Sequence, residues 1–511
     1  MLSKVSSSAV YGIDAYIIEV EVCVSRGTLP YTVIVGLPDQ AVKESRDRVR
    51  AALINSGYRF PSDHITINLA PASIKKEGPA FELPIAVGLL QASRQIDTPR
   101  IKDYLIAGEL SLDGRVRPIK GSLSMAMKAR AEGCRGMVLP AENAHEAGVV
   151  EGIEVIPVTN LVDTVGFLSG QLNIAPVRLS LEEVFSSTSS YDLDFAEVKG
   201  QEHAKRALLV AAAGGHNVLM IGPPGGGKTM LAQRLPTILP KLLPQESLET
   251  TRIYSVCGLL GQGHALVATR PFRTPHHTIS EAGLVGGGTF PRPGEVSLSH
   301  HGVLFLDELP EFDRNTLESL RQPLEIGQIT ISRASSSVTY PACIMLVGAM
   351  NPCPCGYFGH PRKECRCTPH QIQSYVSRVS GPLLDRIDIH IEVPALEYSD
   401  LTKGPLGESS ERLRQRVQRA REIQYQRLKE HGITTNAHMS SRLVKKHCAL
   451  DEQAEALLHQ AMMELSLSAR GYTKILKLAR TIADLSASED LRLEHISEAI
   501  QYRNLDRGLW R

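Results

Sequence analysis

The stretch IGPPGGGKTML, Ile221 to Leu231, constrains this chain more than any other. The apolar run NVLMI leads into it and the helical pattern TMLAQRLPTIL follows. Strand, glycine turn and helix in that order form the setting of the phosphate-binding loop G-x-x-x-x-G-K-[ST]. Gly222, Pro223, Pro224, Gly225, Gly226, Gly227, Lys228 and Thr229 fill that pattern, and Met230 follows directly. The glycines let backbone N–H groups turn onto phosphate oxygens, and the helix N-terminus adds positive potential. Lys228 is placed to reach the β- and γ-phosphates, and Thr229 to hold Mg²⁺.

A second apolar run, VLFLDEL (303–309), ends in Asp307 and Glu308. At a strand terminus Asp307 suits metal binding through water, and Glu308 suits activation of the attacking water. With the phosphate loop they make an ATPase that uses ATP and Mg²⁺. MLVGAM (345–350) is another strand pattern, and the amide of Asn351 at its end is suited to polarising the water or the γ-phosphate. Arg386, in GPLLDRIDIHIEV, has aspartates on both sides. It is either a structural arginine or an arginine finger, which stabilises charge on the transferring phosphoryl group. Arg470, in SARGYTK, opens a helical pattern and is either a solvated helix end or a γ-phosphate contact.

GPPGGGKT, PRPGEVSLSHHGVLFLDELPEF, NPCPCGYFG and GPLLDRIDIHIEV resemble the magnesium-chelatase-like branch of the AAA+ ATPases. Within it the chain is similar to the YifB/ComM family along nearly its whole length. The resemblance implies an α/β fold: a Lon-protease-like (S5 domain 2-like) α+β domain, an AAA+ P-loop core with a parallel sheet, and a C-terminal helical lid. It also implies Asn351 as sensor 1, Arg386 as a finger acting in trans, Arg378 as a second candidate finger, and Arg470 as sensor 2. An arginine acting in trans requires head-to-tail interfaces, which close into rings. The family implies a homo-hexamer and, through its link to branch migration of transforming DNA, a helicase. Single-stranded and branched DNA, and recombination proteins, are then the expected partners.

The expected domains are 1–172, a linker at 173–193 containing SSTSS (186–190), a core at 194–395, and a helical lid at 405–511 after the polar stretch KGPLGESS (403–410). In the first, AYIIEVEVCV (15–24), YTVIVGL (31–37) and HITINLAP (64–71) are strand patterns, and 39–57 is a helix ending at Gly57. IKKEGPAFELPIAVGLL and the segment 106–140 resemble the Lon proteolytic domain, whose nucleophile is a serine assisted by a lysine. Here Ala80 stands at the serine position and Leu123 at the lysine position. Without nucleophile and base there is no acyl transfer, so a scaffold is expected and a peptidase is not.

Cys353, Cys355, Cys365 and Cys367 crowd one loop, 353–367, in a chain of nine cysteines. Four thiolates on a short loop match a structural Zn²⁺ site in number and compactness. Free loop cysteines, a redox pair, or ligation by His360 or His370 in place of one thiolate remain alternatives.

A net charge of +1 leaves no overall basic field, so any nucleic-acid site must be a local patch. Two insertions supply candidates. The segment 257–288 carries Arg270, Arg273, His276 and His277, and the hairpin pattern 327–342 carries Arg333 beside a serine tip. Grip on a phosphate backbone is mostly electrostatic and suits such residues, although each arginine has acidic neighbours available for pairing. The helix pattern 411–430 has six arginines spread over several faces, as a solvated lid helix would. A metal-chelatase-like remodelling ATPase without DNA activity is the alternative function. No apolar run is long enough to cross a membrane, and no secretory pattern opens the sequence, so a cytoplasmic protein with reduced thiols is expected.

Overall fold

The computed structural model describes residues 1–25, 31–73, 76–180, 184–185, 191–261, 263–288, 291–333, 336–395, 407–465 and 467–503. The SSTSS linker segment, most of the 403–410 stretch, the hairpin tip 334–335 and the Arg333 side chain lie outside the described residues. Two units form: Met1–Ser189 with Leu243–Ala268, and Ser190–Leu242 with Thr269–Arg511.

The first unit carries a four-stranded sheet in the order Leu2–Tyr11, Asp14–Ser25, His64–Ala70, Tyr31–Val35. Ile18, Val20 and Val22 face the core, as the period-two pattern requires. The helix Gln40–Asn55 is capped by Asp39, whose carboxylate accepts the Val42 amide, and Gly57 follows it at φ +84°. A second, parallel sheet joins Tyr104–Ile106, Gly136–Pro140 and Glu154–Val158. Ala80, in the short turn Pro79–Phe81, packs against an apolar cluster that contains the fully buried Leu123. Ser122 and Ser124 are buried too, and the Ser124 hydroxyl donates to the Ile13 carbonyl. The place where a Lon-type dyad would meet is thus hydrocarbon.

The domain reading needs one change. The segment Leu243–Ala268, placed by sequence inside the 194–395 core, belongs to the first unit. Arg252 on the helix Pro244–Cys257 pairs with Asp14 at 2.6 Å, Ser255 bonds Glu146, and Ala265 and Leu266 join the Leu123 cluster. An amphipathic pattern fixes which face is buried and leaves open what buries it.

The second unit is built on a five-stranded sheet in the order Phe272–Arg273, Val303–Leu306, Met345–Met350, Val218–Ile221, Ile389–Glu392. Every pairing is parallel, and the three central strands are buried throughout. The chain runs outward from Val218–Ile221 on one side and later returns to its other side. That reversal opens a crevice at the carboxyl ends of the strands, where open α/β sheets bind ligands. The lid helices Ser410–Leu428, Ser441–His447, Glu452–Leu465, Ala469–Leu485 and Leu493–Gln501 share one apolar core with this sheet.

Candidate active site

Three adjacent strands deliver the chemistry. Val218–Ile221 ends in the phosphate loop, Val303–Leu306 in Asp307 and Glu308, and Met345–Met350 in Asn351. Gly225 and Gly227 adopt φ +76° and +85°, so the loop can turn its amides inward. Gly222 has a different reason to be glycine: a Cβ there would lie 2.0 Å from the Val393 carbonyl oxygen.

Lys228 Nζ donates to the carbonyls of Gly222 at 2.7 Å and Pro223 at 3.0 Å, and to Asn351 Oδ1 at 3.2 Å. Burial pushes its ammonium below the usual lysine range, against the Asp307 and Glu308 carboxylates, which favour the charge. Thr229 Oγ1 donates to Asp307 Oδ2 at 2.7 Å. A hydroxyl and a carboxylate oxygen meeting beside a phosphate loop are the hard donors that Mg²⁺ prefers, so these residues fit the ion. Met230 is partly buried against the core just beyond Thr229.

Glu308 sits in the left-handed region at φ +53°, and its amide donates to Asp307 Oδ1 at 2.9 Å. Its carboxylate faces His277, with Nδ1 to Oε2 at 3.4 Å. Sequence reasoning missed this pairing, since His277 was grouped with His276 as a nucleic-acid contact. It also missed Gln201, whose side-chain amide donates to the Gly226 carbonyl and whose Oε1 is buried without a partner. Its link to the phosphate loop spans 25 positions, beyond the reach of local pattern.

The two candidate γ-phosphate arginines gather around one carboxylate. Arg386 pairs with Glu325 and donates to the carbonyls of Arg321 and Pro382 at 3.2 and 2.8 Å. Arg470 is exposed at the start of Ala469–Leu485, and its charge acts on that same Glu325. Arg378 pairs with Glu311 at 2.9 Å.

The nucleic-acid candidates separate. Arg270 is corrected to a structural role: its guanidinium bonds the carbonyls of Pro240, Lys241 and His301. Arg273 is likewise held, by a two-pronged pairing with Glu295 at 2.6 and 2.8 Å. Both side chains are spent inside the fold. His276 bonds Thr278 and stacks on His277, with ring centroids 4.1 Å apart. The 327–342 pattern is a hairpin, Gln328–Arg333 with Ser336–Pro341, closed by the Arg333–Ser336 backbone pair. Ile329, Ile331, Val338 and Tyr340 are buried on one face, while Thr330 with Thr339 and Ser332 with Ser337 form exposed hydroxyl pairs on the other.

The Sγ atoms of Cys353, Cys355, Cys365 and Cys367 all lie within 4.8 Å of one another. Cys353 is 3.3 Å from Cys355 and 3.7 Å from Cys365, and Cys355 is 3.6 Å from Cys365. A tetrahedral tetrathiolate with ordinary zinc–sulfur bonds has edges of about 3.8 Å, so the cluster fits Zn²⁺. Backbone N–H groups of Tyr357 and Arg366 pull the Cys355 thiol down to about 6, while burial pushes Cys353 up. The loop presses on the phosphate loop: a Cβ at Gly356 would lie 2.5 Å from the Pro224 ring.

Residues 194–401 match the family described as magnesium chelatase, subunit ChlI. Residues 20–143 and 407–503 match the descriptions subunit ChlI of Mg-chelatase and magnesium chelatase, subunit ChlI C-terminal. The chain is 43% identical to competence protein ComM of Haemophilus influenzae over 510 residues, 99% of this chain and 98% of the relative. It is 44% identical to the uncharacterized protein YifB of Escherichia coli over 509 residues, with the same coverage. Lon protease 2 of Bacillus subtilis is 30% identical over 172 residues, 30% of each chain. The chain therefore belongs to the YifB/ComM family of magnesium-chelatase-like AAA+ ATPases.

Proposed function

We propose that the protein is an ATP-driven homo-hexameric ring motor that acts on DNA, a helicase promoting branch migration as transforming DNA is integrated. The observation that carries the ATPase part is the meeting of Lys228, Thr229, Asp307, Glu308 and Asn351 at the ends of three neighbouring strands. Lys228 exchanges its carbonyl acceptors for β- and γ-phosphate oxygens, and Asn351 orients the reacting end. When bound, Mg²⁺ neutralises charge on the phosphates; Thr229 and Asp307 hold it. Glu308 takes the proton of the attacking water. Arg386, with Arg470 at the same carboxylate, supplies positive charge to a nucleotide across the subunit boundary.

The DNA part is supported by the name of the Haemophilus relative and by the hairpin Gln328–Pro341, whose exposed hydroxyl face suits a sequence-independent grip on phosphates. His276 and Arg333 remain contact candidates; Arg270 and Arg273 do not. Zn²⁺ held by Cys353, Cys355, Cys365 and Cys367 stiffens the segment that follows Asn351. The test is purified protein with ATP and a labelled three-stranded or four-way junction, compared with Lys228→Ala. Strand exchange by the wild type alone supports the reading. ATP hydrolysis that moves no strand, and that single-stranded DNA does not stimulate at low salt, favours the chelatase-like alternative.

A further inference from the structure

Glu308 has a second partner besides its own backbone. His277 Nδ1 lies 3.4 Å from Glu308 Oε2, a long contact between half-buried groups. The ring of His277 is set by its neighbours: it stacks on His276 at 4.1 Å and meets the Phe312 ring edge-on at 6.4 Å. Phe312 is buried and closes the short turn Leu309–Glu311 that follows Glu308. His277 itself lies between the edge strand Phe272–Arg273 and the short helix Glu281–Val285, which Ser280 caps. This loop is part of the insertion 257–288, so the pairing ties an inserted segment to the water-activating carboxylate.

We infer that His277 is a positioning residue that holds Glu308 away from the attacking water, and that displacement of the 274–280 loop releases the carboxylate for hydrolysis. The inference rests on the reading that Glu308 activates water. A carboxylate oxygen accepting from His277 does not offer that lone pair to a water at the γ-phosphate. The contact is long, so it restrains without locking, and a load that moves the loop is enough to break it. A latch of one such hydrogen bond changes a rate by about three- to tenfold.

The test is steady-state ATPase activity of the full chain, with kcat and KM measured separately, for wild type, His277→Phe, His277→Asn and Glu308→Gln. His277→Phe keeps an aromatic ring between His276 and Phe312 and removes the donor. His277→Asn keeps a donor and removes the ring. The expected result is a kcat about three- to tenfold higher in His277→Phe with KM unchanged, and a near wild-type kcat in His277→Asn. Stimulation by single-stranded DNA should shrink in His277→Phe by the factor that the basal rate gains. A basal kcat that is unchanged or lower in His277→Phe overturns the inference, as does a rise of equal size in His277→Asn, which would make the ring the relevant feature. The double variant His277→Phe/Glu308→Gln must be inactive; raised turnover in it also overturns the latch. Turnover retained by Glu308→Gln alone removes Glu308 from catalysis, a distinct failure that leaves the junction assay to judge the motor.

Discussion

Thr229 and Asp307, 78 positions apart in the chain, are joined by a 2.7 Å hydrogen bond. The bond brings the two metal-holding groups together before any nucleotide arrives. Lys228, one residue earlier, is meanwhile held by two carbonyls and the Asn351 amide oxygen. The site is thus assembled by the sheet, and its cation is parked on acceptors that phosphate oxygens replace.

Lys228→Ala is expected to lose ATP binding, and Glu308→Gln to keep binding while losing turnover by about a hundredfold or more, the usual scale of a missing general base. Equilibrium binding of a fluorescent ATP analogue beside steady-state hydrolysis separates the two. Weak binding by Glu308→Gln would argue that the carboxylate serves the fold rather than the water.

Arg386→Ala should cut turnover by about a thousandfold, as arginine fingers do. Its position also predicts complementation. In mixed rings a Lys228→Ala subunit still presents Arg386 to an Arg386→Ala neighbour whose phosphate loop is intact. Mixing the two inactive variants should restore part of the activity. Co-assembled rings that stay inactive would place Arg386 in its own subunit's architecture, as its bonds to Arg321 and Pro382 carbonyls permit.

The cysteine cluster predicts one zinc per chain by elemental analysis, lost in Cys365→Ser. Cobalt substitution should give the charge-transfer absorption of a tetrathiolate. Since Gly356 abuts Pro224, stripping the metal should lower ATPase activity as well as thermal stability. Wild-type activity in metal-free protein would confine the cluster to a local role.

Burial holds His216 and His438 below the usual histidine range. His216 Nδ1 lies 3.2 Å from Asp388 Oδ2, and its Nε2 lies 2.9 Å from the Thr481 hydroxyl. As pH falls through about 6.5 the unfolded chain takes up protons that the folded chain refuses. Stability rises with pH wherever the unfolded state binds more protons, so the contribution of these groups is complete above about pH 6.5 and is lost below it. Each proton of difference is worth about 1.4 kcal/mol per pH unit. The urea midpoint should drop between pH 7.5 and 5.5, and His438→Gln should flatten that drop. An identical pH slope in His438→Gln would mean that this histidine titrates alike in both states.

Much of the site was legible because its signals are local. The phosphate loop is a strand, a glycine turn and a helix within one short stretch, and Asp307 and Asn351 each end an apolar run. A parallel sheet then brings strand ends to one edge, whatever lies between them in sequence. The hairpin at Gln328–Pro341 was legible for the same reason. Arg270 and Arg273 were not. A basic residue among glycines looks the same whether it meets a phosphate or, as here, the carbonyls of Pro240 and His301 or the carboxylate of Glu295. The partners of Gln201 and His277 also come from distant segments, which no period or motif connects.

The membership of Leu243–Ala268 in the first unit has a practical outcome for anyone dissecting this protein. The polypeptide leaves the ATPase after Leu242, supplies a helix to the other fold, and re-enters at Thr269. A gene fragment that begins at residue 194 therefore inherits a helix stripped of the apolar bed formed by Leu123 and its companions. A soluble stand-alone motor calls for excising 243–268 and bridging the gap, rather than for choosing a single cut site.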